Sequence, residues 1–324
     1  MKAICFERAG EPSEVLRLRE ISEPEPGAGE VRLRLIGSPI NPADLMFIKG
    51  EYRFKPVFPE TGGLEGGGVI ESTGPGVNLR PGQKAAFFAR KAWAEYVVVP
   101  ASDLILLPDN LPDSKVVQSF LNPVTAWGLL DEAGVKEGEW ILLTAGNSAV
   151  SRIVTQIAFR RGIEVILVVR NSSSSDELKS LGAKEVIDSS TGQISGRVLD
   201  MTKGKGADAI LDSVGGKIGT ELFDCIAVNG RIVVYGVLSR DKAEFHNSVF
   251  LYRNIVMKGF GIRGYLQSKT EAEKGGIFSS IAHTLSDDDF KLDVSKWFAF
   301  EKYSEAFQVH QHTERTGKII LRPR

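Results

Sequence analysis

The sequence predicts an α/β protein in which a doubly wound parallel sheet is inserted into a mostly β domain. From Trp140 onward, short apolar runs alternate with helical segments, the pattern of parallel strands covered on both faces. The N-terminal third instead carries short β-type runs between glycine- and proline-rich turns. After Arg253 the chain turns mixed again and closes on a further β run, so the β-rich part holds both chain ends.

Strands are expected in the first part at 30–36 (EVRLRLI), 67–72 (GGVIES) and 95–99 (EYVVV). Asn41 before Pro42 could supply an amide donor, but it reads better as a turn-former. In the central part the expected elements alternate as 140–144 (WILLT), a helix at 152–161, 164–169 (EVILVV), a helix at 175–181, a strand at 185–187, a strand at 207–212, a helix at 220–226 and 231–235 (RIVVY). The closing strand is 318–321 (KIIL). With 324 residues, the chain exceeds what one core usually serves. The boundaries fall at 1–118 with 263–324 for the β-rich part and 119–262 for the α/β part. A cleft between two such parts is the expected meeting place of cofactor and substrate.

Forty basic residues against 41 acidic ones leave a net charge of −1, which gives no field to hold a nucleic acid. Two cysteines, Cys5 and Cys225, exclude a disulfide framework and fit a reducing compartment. The opening MKAICFERAG is charged at Glu7 and Arg8, unlike a signal peptide. No apolar run reaches the roughly 18 residues of a membrane span. The expectation is a cytoplasmic protein with a small-molecule substrate.

The segment 142–157 (LLTAGNSAVSRIVTQI) reads as strand, tight turn and helix, where a dinucleotide fingerprint belongs. A helix N-terminus there offers N–H groups and a positive dipole end to a pyrophosphate. Gly146 is present, while Ala149 and Ser151 take the later glycine positions, and an ordinary strand–helix turn would read the same way. The next strand ends in Arg170, 24 residues after Gly146, followed by Asn171 and four serines. An acidic residue at that strand end would accept a ribose 2′-hydroxyl. A guanidinium with hydroxyls beside it suits a 2′-phosphate instead, so NADPH is expected over NADH.

A zinc site needs converging thiolate, imidazole or carboxylate ligands. The four histidines, His246, His283, His310 and His312, all come late. His310 and His312 would share a face in a strand, and they read as a solvated pair with no cysteine near. No metal is expected. Glu65, in a glycine-rich run, reads as a buried hydrogen-bond partner that orders its loop, and Cys225 as a small core residue on a helical stretch at 222–228. Trp93 and Trp127 read as packing residues.

Several runs together resemble a known superfamily. Asn41-Pro42-Ala43-Asp44, Gly50-Glu51-Tyr52, and the run from Pro59 to Val69 (PETGGLEGGGV) are similar to the medium-chain dehydrogenases/reductases. So are Trp93-Ala94-Glu95-Tyr96, Asn122-Pro123-Val124-Thr125-Ala126, Leu181-Gly182-Ala183 and Val214-Gly215-Gly216-Lys217. The resemblance covers essentially the whole chain. Where zinc members carry Cys and His ligands, this sequence has Asn41 or Pro42 and Leu64, which places it with the zinc-free quinone oxidoreductases and enoyl thioester reductases. Within that set it looks most like the 2-enoyl thioester reductases of the mitochondrial type.

The resemblance implies a Rossmann domain inserted in a GroES-like catalytic domain, and commonly a homodimer through the edge of the nucleotide-domain sheet, here around 250–258. It implies Tyr52 as the proton donor. By the same resemblance the cofactor touches Asn122, Gly146, Asn147, Ser148, Ala149, Val150, Arg170, Tyr235, Val237, Phe260, Gly261, Ile262 and Lys318. The segment 259–265 (GFGIRGY) lacks the tryptophan that enoyl reductases often carry after the position of Phe260. Hydride added to the β-carbon of an enone, enal or enoyl thioester leaves charge on the carbonyl oxygen, which N–H or amide donors stabilise by roughly 3 kcal/mol each. The α-carbon then takes a proton, and a phenol of ordinary pKa near about 10 holds one at neutral pH. Quinone reduction is the close alternative. A non-catalytic NADPH-binding structural or sensor protein is the alternative of another class.

Overall fold

The computed structural model describes residues 1–311 and 316–323. It divides into two compact units, Met1–Pro123 with Gly275–Arg324, and Val124–Lys274.

The first unit is built on two sheets. Arg17–Glu20, Lys2–Phe6 and Glu60–Thr61 form a three-stranded antiparallel sheet. A seven-stranded sheet is centred on Glu30–Pro39, which pairs antiparallel with Gly66–Thr73, Tyr96–Pro100 and Lys318–Arg322. Val31, Leu33 and Leu35 of that strand face inward at alternate positions, as a half-buried strand requires. They pack with Phe6, Phe47, Trp93, Phe298 and Phe300, and burying each such side chain is worth about 1.5–3 kcal/mol. Two glycines of the run in this unit, Gly62 and Gly63, are explained by Trp93. A Cβ at Gly62 would lie 2.3 Å from the indole Cε3, and one at Gly63 2.5 Å from Cδ1.

A helix that the sequence reading treated as a turn lies in this unit. Pro42–Ile48 is helical, with Asn41 as its N-cap and Pro42 at the first helical position. The Asn41 N–H donates to Asp44 Oδ2 at 2.7 Å. A capping residue, a proline after it and an acid three positions on form the local signal.

The second unit holds a six-stranded sheet. Its strands are β1 (Trp140–Leu143), β2 (Glu164–Val169), β3 (Glu185–Asp188), β4 (Ala207–Asp212), β5 (Ile226–Val234) and β6 (Val256–Gly259). All neighbouring pairs are parallel, in the order β3-β2-β1-β4-β5-β6. This is the doubly wound dinucleotide-binding order, with its switch point between β1 and β4. The helices between its strands are α1 (Ala149–Arg160), α2 (Ser175–Ser180), α3 (Ile194–Met201), α4 (Gly216–Leu222) and α5 (Ser248–Arg253), and a further helix, Ile262–Gln267, follows β6. β1, β2 and β4 are almost wholly buried, which is why they read as continuous apolar runs.

Three local expectations are corrected. α4 starts at Gly216, earlier than expected, after Gly215 turns the chain at φ 71°. It ends at Leu222, so Cys225 lies off the helix, still buried, while Ile226 to Val228 enter β5, where Ile226 pairs with Ala207. The edge strand is only Val256–Gly259, because 248–253 is helical and Asn254 breaks the chain in a left-handed conformation, φ 49°. His310 lies on the helix Tyr303–Gln311 and not on a strand, and His312 lies outside the described residues. Among the described residues no helix is long and apolar enough to cross a membrane.

Candidate active site

In the first unit, Tyr52 follows directly on the Pro42–Ile48 helix. Its backbone N–H donates to Met46 O at 3.1 Å, and the Glu51 N–H to the same oxygen at 2.8 Å. The half-buried Tyr52 ring stands edge-on to Phe54, centroids 4.9 Å apart at 87°, and Phe54 packs on Phe47 at 5.3 Å. The phenol is thus tied to the helix at both backbone and ring. Lys49 pairs with Glu11 at 2.8 Å, and the Arg53 guanidinium lies over the Tyr52 ring at 5.8 Å.

Behind this helix lies a buried polar network. Glu65 and Asp44 are fully buried, Asn41 is 1% exposed and Lys318 8%. Lys318 Nζ donates to Asn41 Oδ1. Asn41 Nδ2 donates to Glu65 Oε2 at 2.9 Å, and the Leu121 N–H to Glu65 Oε1 at 2.7 Å. The Asn41 amide is therefore committed on both sides, its oxygen to Lys318 and its nitrogen to Glu65, while the Asn41 backbone N–H makes the capping bond to Asp44. Asn122, the next residue after Leu121, is buried on the helix Leu121–Ala133.

Loss of hydration pushes the Asp44 carboxyl up to about 7, against the Asn41 N–H that lowers it, with Glu65 raising and Lys318 lowering it further. Burial likewise pushes Glu65 up, opposed first by Lys318. An acid whose folded pKa is raised binds its proton more tightly in the folded chain. Between the ordinary 3.8 and about 7 the folded state carries the extra proton, so Asp44 makes stability fall as pH rises through that window. Asp44→Asn keeps an oxygen for the Asn41 N–H and removes this titration. Thermal melts between about pH 5 and pH 8 should show a smaller drop in Tm for the variant than for the wild type; parallel slopes would refute the assignment.

In the second unit the C-terminal ends of the strands gather the other residues singled out from the sequence. Gly146, Asn147, Ser148, Ala149 and Val150 follow β1, Arg170 follows β2, Tyr235 and Val237 follow β5, and Phe260, Gly261 and Ile262 follow β6. Gly146 is required by a close approach, because a Cβ there would lie 2.8 Å from Leu167 Cβ of β2. Ser148 N-caps α1 and its Oγ accepts from the Ser151 N–H at 3.2 Å. Ser151, in the last glycine position of the fingerprint, is fully buried and donates to Thr144 O at 3.3 Å, so it packs helix against strand. Its Oγ also lies 3.5 Å from Tyr235 Oη. Asn147 Nδ2 donates to Ser174 Oγ at 3.4 Å, linking the turn after β1 to the serine run after β2. Arg170 is exposed at that strand end, while Val237 is 72% exposed and Ile262 is buried.

The sequence reading missed the residues that fix this switch point. Thr144 Oγ1 donates to Asp212 Oδ1 at 2.7 Å and accepts from the Ser213 N–H at 2.9 Å. Asp212 also accepts the N–H groups of Val214 at 2.9 Å and Gly215 at 3.1 Å. Arg152, 5% exposed, pairs with Glu177 and donates to Asn147 Oδ1 at 3.1 Å. A polar residue ending each of two apolar strands, WILLT and AILD, was the available signal. Tyr52, Asn122 and Lys318 belong to the first unit and the other predicted site residues to the second.

A doubly wound sheet with a capped helix N-terminus at its switch point defines a dinucleotide-binding class of protein. The comparisons narrow it. Residues 27–109 match the alcohol dehydrogenase GroES-like domain and 149–274 the zinc-binding dehydrogenase model. The chain is 31% identical to the mitochondrial enoyl-[acyl-carrier-protein] reductase of Homo sapiens, over 99% of this chain and 88% of that protein. It is similar to a solved structure of a proposed NADPH:quinone reductase from Bacillus thuringiensis, with TM-score 0.93, 28% identity and coverage of 100% and 99%. A mycobacterial protein complexed with NADPH matches with TM-score 0.89, 25% identity and full coverage of both chains, 100% each. The chain belongs to the enoyl reductase and quinone oxidoreductase branch of the medium-chain dehydrogenase/reductase superfamily, and it is an oxidoreductase of that type.

The zinc in the name of one matched model does not suit the donor set here. Leu64 is buried among apolar side chains, the Asn41 amide is held by Glu65 and Lys318, and an ammonium next to that amide repels a dication. Among the described residues no group of three or more His, Cys, Asp or Glu could hold a metal.

Proposed function

We propose that this chain reduces an activated C=C bond, in an enone, enal or 2-enoyl thioester, at the expense of NADPH and with Tyr52 as proton donor. The observation that carries the reading is the gathering of the predicted cofactor residues of the second unit at the carboxyl ends of β1, β2, β5 and β6, where open α/β sheets take their ligands. NADPH bound there supplies the hydride. The first-turn N–H groups of α1 have no acceptors within the helix and suit a pyrophosphate. Arg170, with Asn171 and the serines after it, suits a 2′-phosphate. Tyr52 holds its proton on Oη and gives it to the α-carbon. Quinone reduction is the second reading, supported by the description of the Bacillus thuringiensis neighbour.

Consumption of NADPH and of NADH, measured with enones, enals, enoyl thioesters and quinones in the presence and absence of a chelator, tests this. Turnover of a C=C substrate with NADPH, insensitive to the chelator, is expected. Turnover of quinones alone would favour the second reading, and binding of NADPH with no turnover would favour a structural or sensor role.

The partners proposed are a small-molecule substrate and a second copy of this chain. Every residue of β6 is exposed, with Val256 and Met257 on the sheet edge and Leu251 and Tyr252 before it. An open apolar edge of this kind pairs readily with another chain. The cytoplasm is the location this reading expects, while the human relative is a mitochondrial protein.

A further inference from the structure

Asp44, Glu65 and Lys318 are buried in a unit whose core is otherwise largely apolar, and the reaction proposed above gives none of them a step. A well-packed apolar cluster of the same volume would often be no less stable, so what these groups do has to be sought in their geometry. The two oxygens of Glu65 are committed to donors from two separate segments, Asn41 Nδ2 and the Leu121 N–H. Its backbone carbonyl accepts from Ser38 Oγ at 2.5 Å, which fixes the carboxylate's own stem. Asn41 cannot turn its amide over, because Lys318 Nζ donates to Oδ1 and would then face the NH2 group. Asn41 caps the helix whose other end binds the Tyr52 backbone, and whose Phe47 backs the Phe54–Tyr52 ring pair.

We propose that Glu65 is a positioning residue for the Tyr52 phenol, pinning the helix that carries the phenol, through Asn41, to the backbone at Leu121. The inference rests on Tyr52 being the proton donor. Only a carboxylate offers two acceptor oxygens to two N–H donors that both point inward. In Glu65→Gln one amide NH2 must face an N–H, and the fixed Asn41 amide cannot relieve it. The helix start then shifts, and the phenol moves with it.

The test compares the full-length wild type, Glu65→Gln, Asn41→Ser, Tyr52→Phe and the double variant Glu65→Gln/Tyr52→Phe, each with NADPH against an enoyl thioester and a quinone. Glu65→Gln should lower kcat for the thioester by about 10- to 100-fold, the scale of a small misplacement, with quinone turnover within about twofold. Added to Tyr52→Phe it should have no further effect, since it acts through a group already removed. Asn41→Ser keeps the backbone groups that start the helix and a residue favoured at a helix N-cap, but loses the reach to Glu65, and should give the same split if Glu65→Gln fails to fold. Equal loss for both substrates, or independent losses in the double variant, would overturn the positioning role alone. If Tyr52→Phe leaves thioester reduction intact, the donor assignment fails and the positioning role fails with it.

Discussion

Tyr52→Phe is expected to slow reduction of an enoyl thioester by about 10²–10⁴-fold, the usual contribution of one positioned general acid, while quinone reduction stays within about threefold. The split follows from where the proton goes. A carbanion-like α-carbon takes its proton slowly from water and needs a positioned acid, whereas the oxygens of a reduced quinone exchange protons with solvent. The substitution removes one hydroxyl and leaves the ring. Edge-on packing on Phe54 and the backbone bond to Met46 remain, so the loop keeps its place. Steady-state kinetics with both substrates, together with a thermal melt, checks this. Retention of both activities at wild-type levels would take Tyr52 out of the mechanism.

Arg170→Ala is expected to weaken NADPH binding by about 10- to 100-fold, the worth of a charge-assisted bond at roughly 1.5–3 kcal/mol, and to change NADH binding by less than about threefold. Arg170 follows the last residue of β2 and is exposed there, so its removal costs little stability. The loop beyond it is ordered from within. Asn171 Oδ1 accepts from Ser173 N at 3.2 Å and from Ser173 Oγ at 2.6 Å, and Ser174 Oγ accepts from Asn147 Nδ2. Those groups stay in the variant, so the loss isolates the guanidinium. Fluorescence titration of both cofactors against wild type and variant gives the ratio. Equal weakening of the two, or a wild type that binds NADH as tightly as NADPH, would remove the 2′-phosphate role.

Much of the second unit was readable because its information is local. The runs 141–143 (ILL), 165–169 (VILVV) and 209–211 (AIL) are apolar throughout since β1, β2 and β4 are buried on both faces. The serine at the start of α1 reports the N-cap, and the arginine after β2 reports the charge at the strand end. Where a residue's neighbours come from far along the chain, local pattern was silent. Ser151, in the last glycine position of the fingerprint, is buried and donates to Thr144 O behind the turn, which its neighbours in sequence do not show. Thr144 and Asp212, 68 residues apart, meet only because β1 and β4 are neighbours.

The sequence by itself determined the alternation of strands and helices, their burial, the charge at the dinucleotide strand end and the composition of the loop that carries Tyr52. These follow from side-chain chemistry and spacing within a few residues, which set each element's own free energy. Tertiary structure alone decided the strand order 3-2-1-4-5-6 and the bond between Lys318 and Asn41, 277 residues apart. It also decided that Asn41 would be a bridge to Glu65 besides starting a helix. Such contacts exist only once the chain has closed on itself, and a buried polar group takes whichever partner that closure brings within hydrogen-bonding reach.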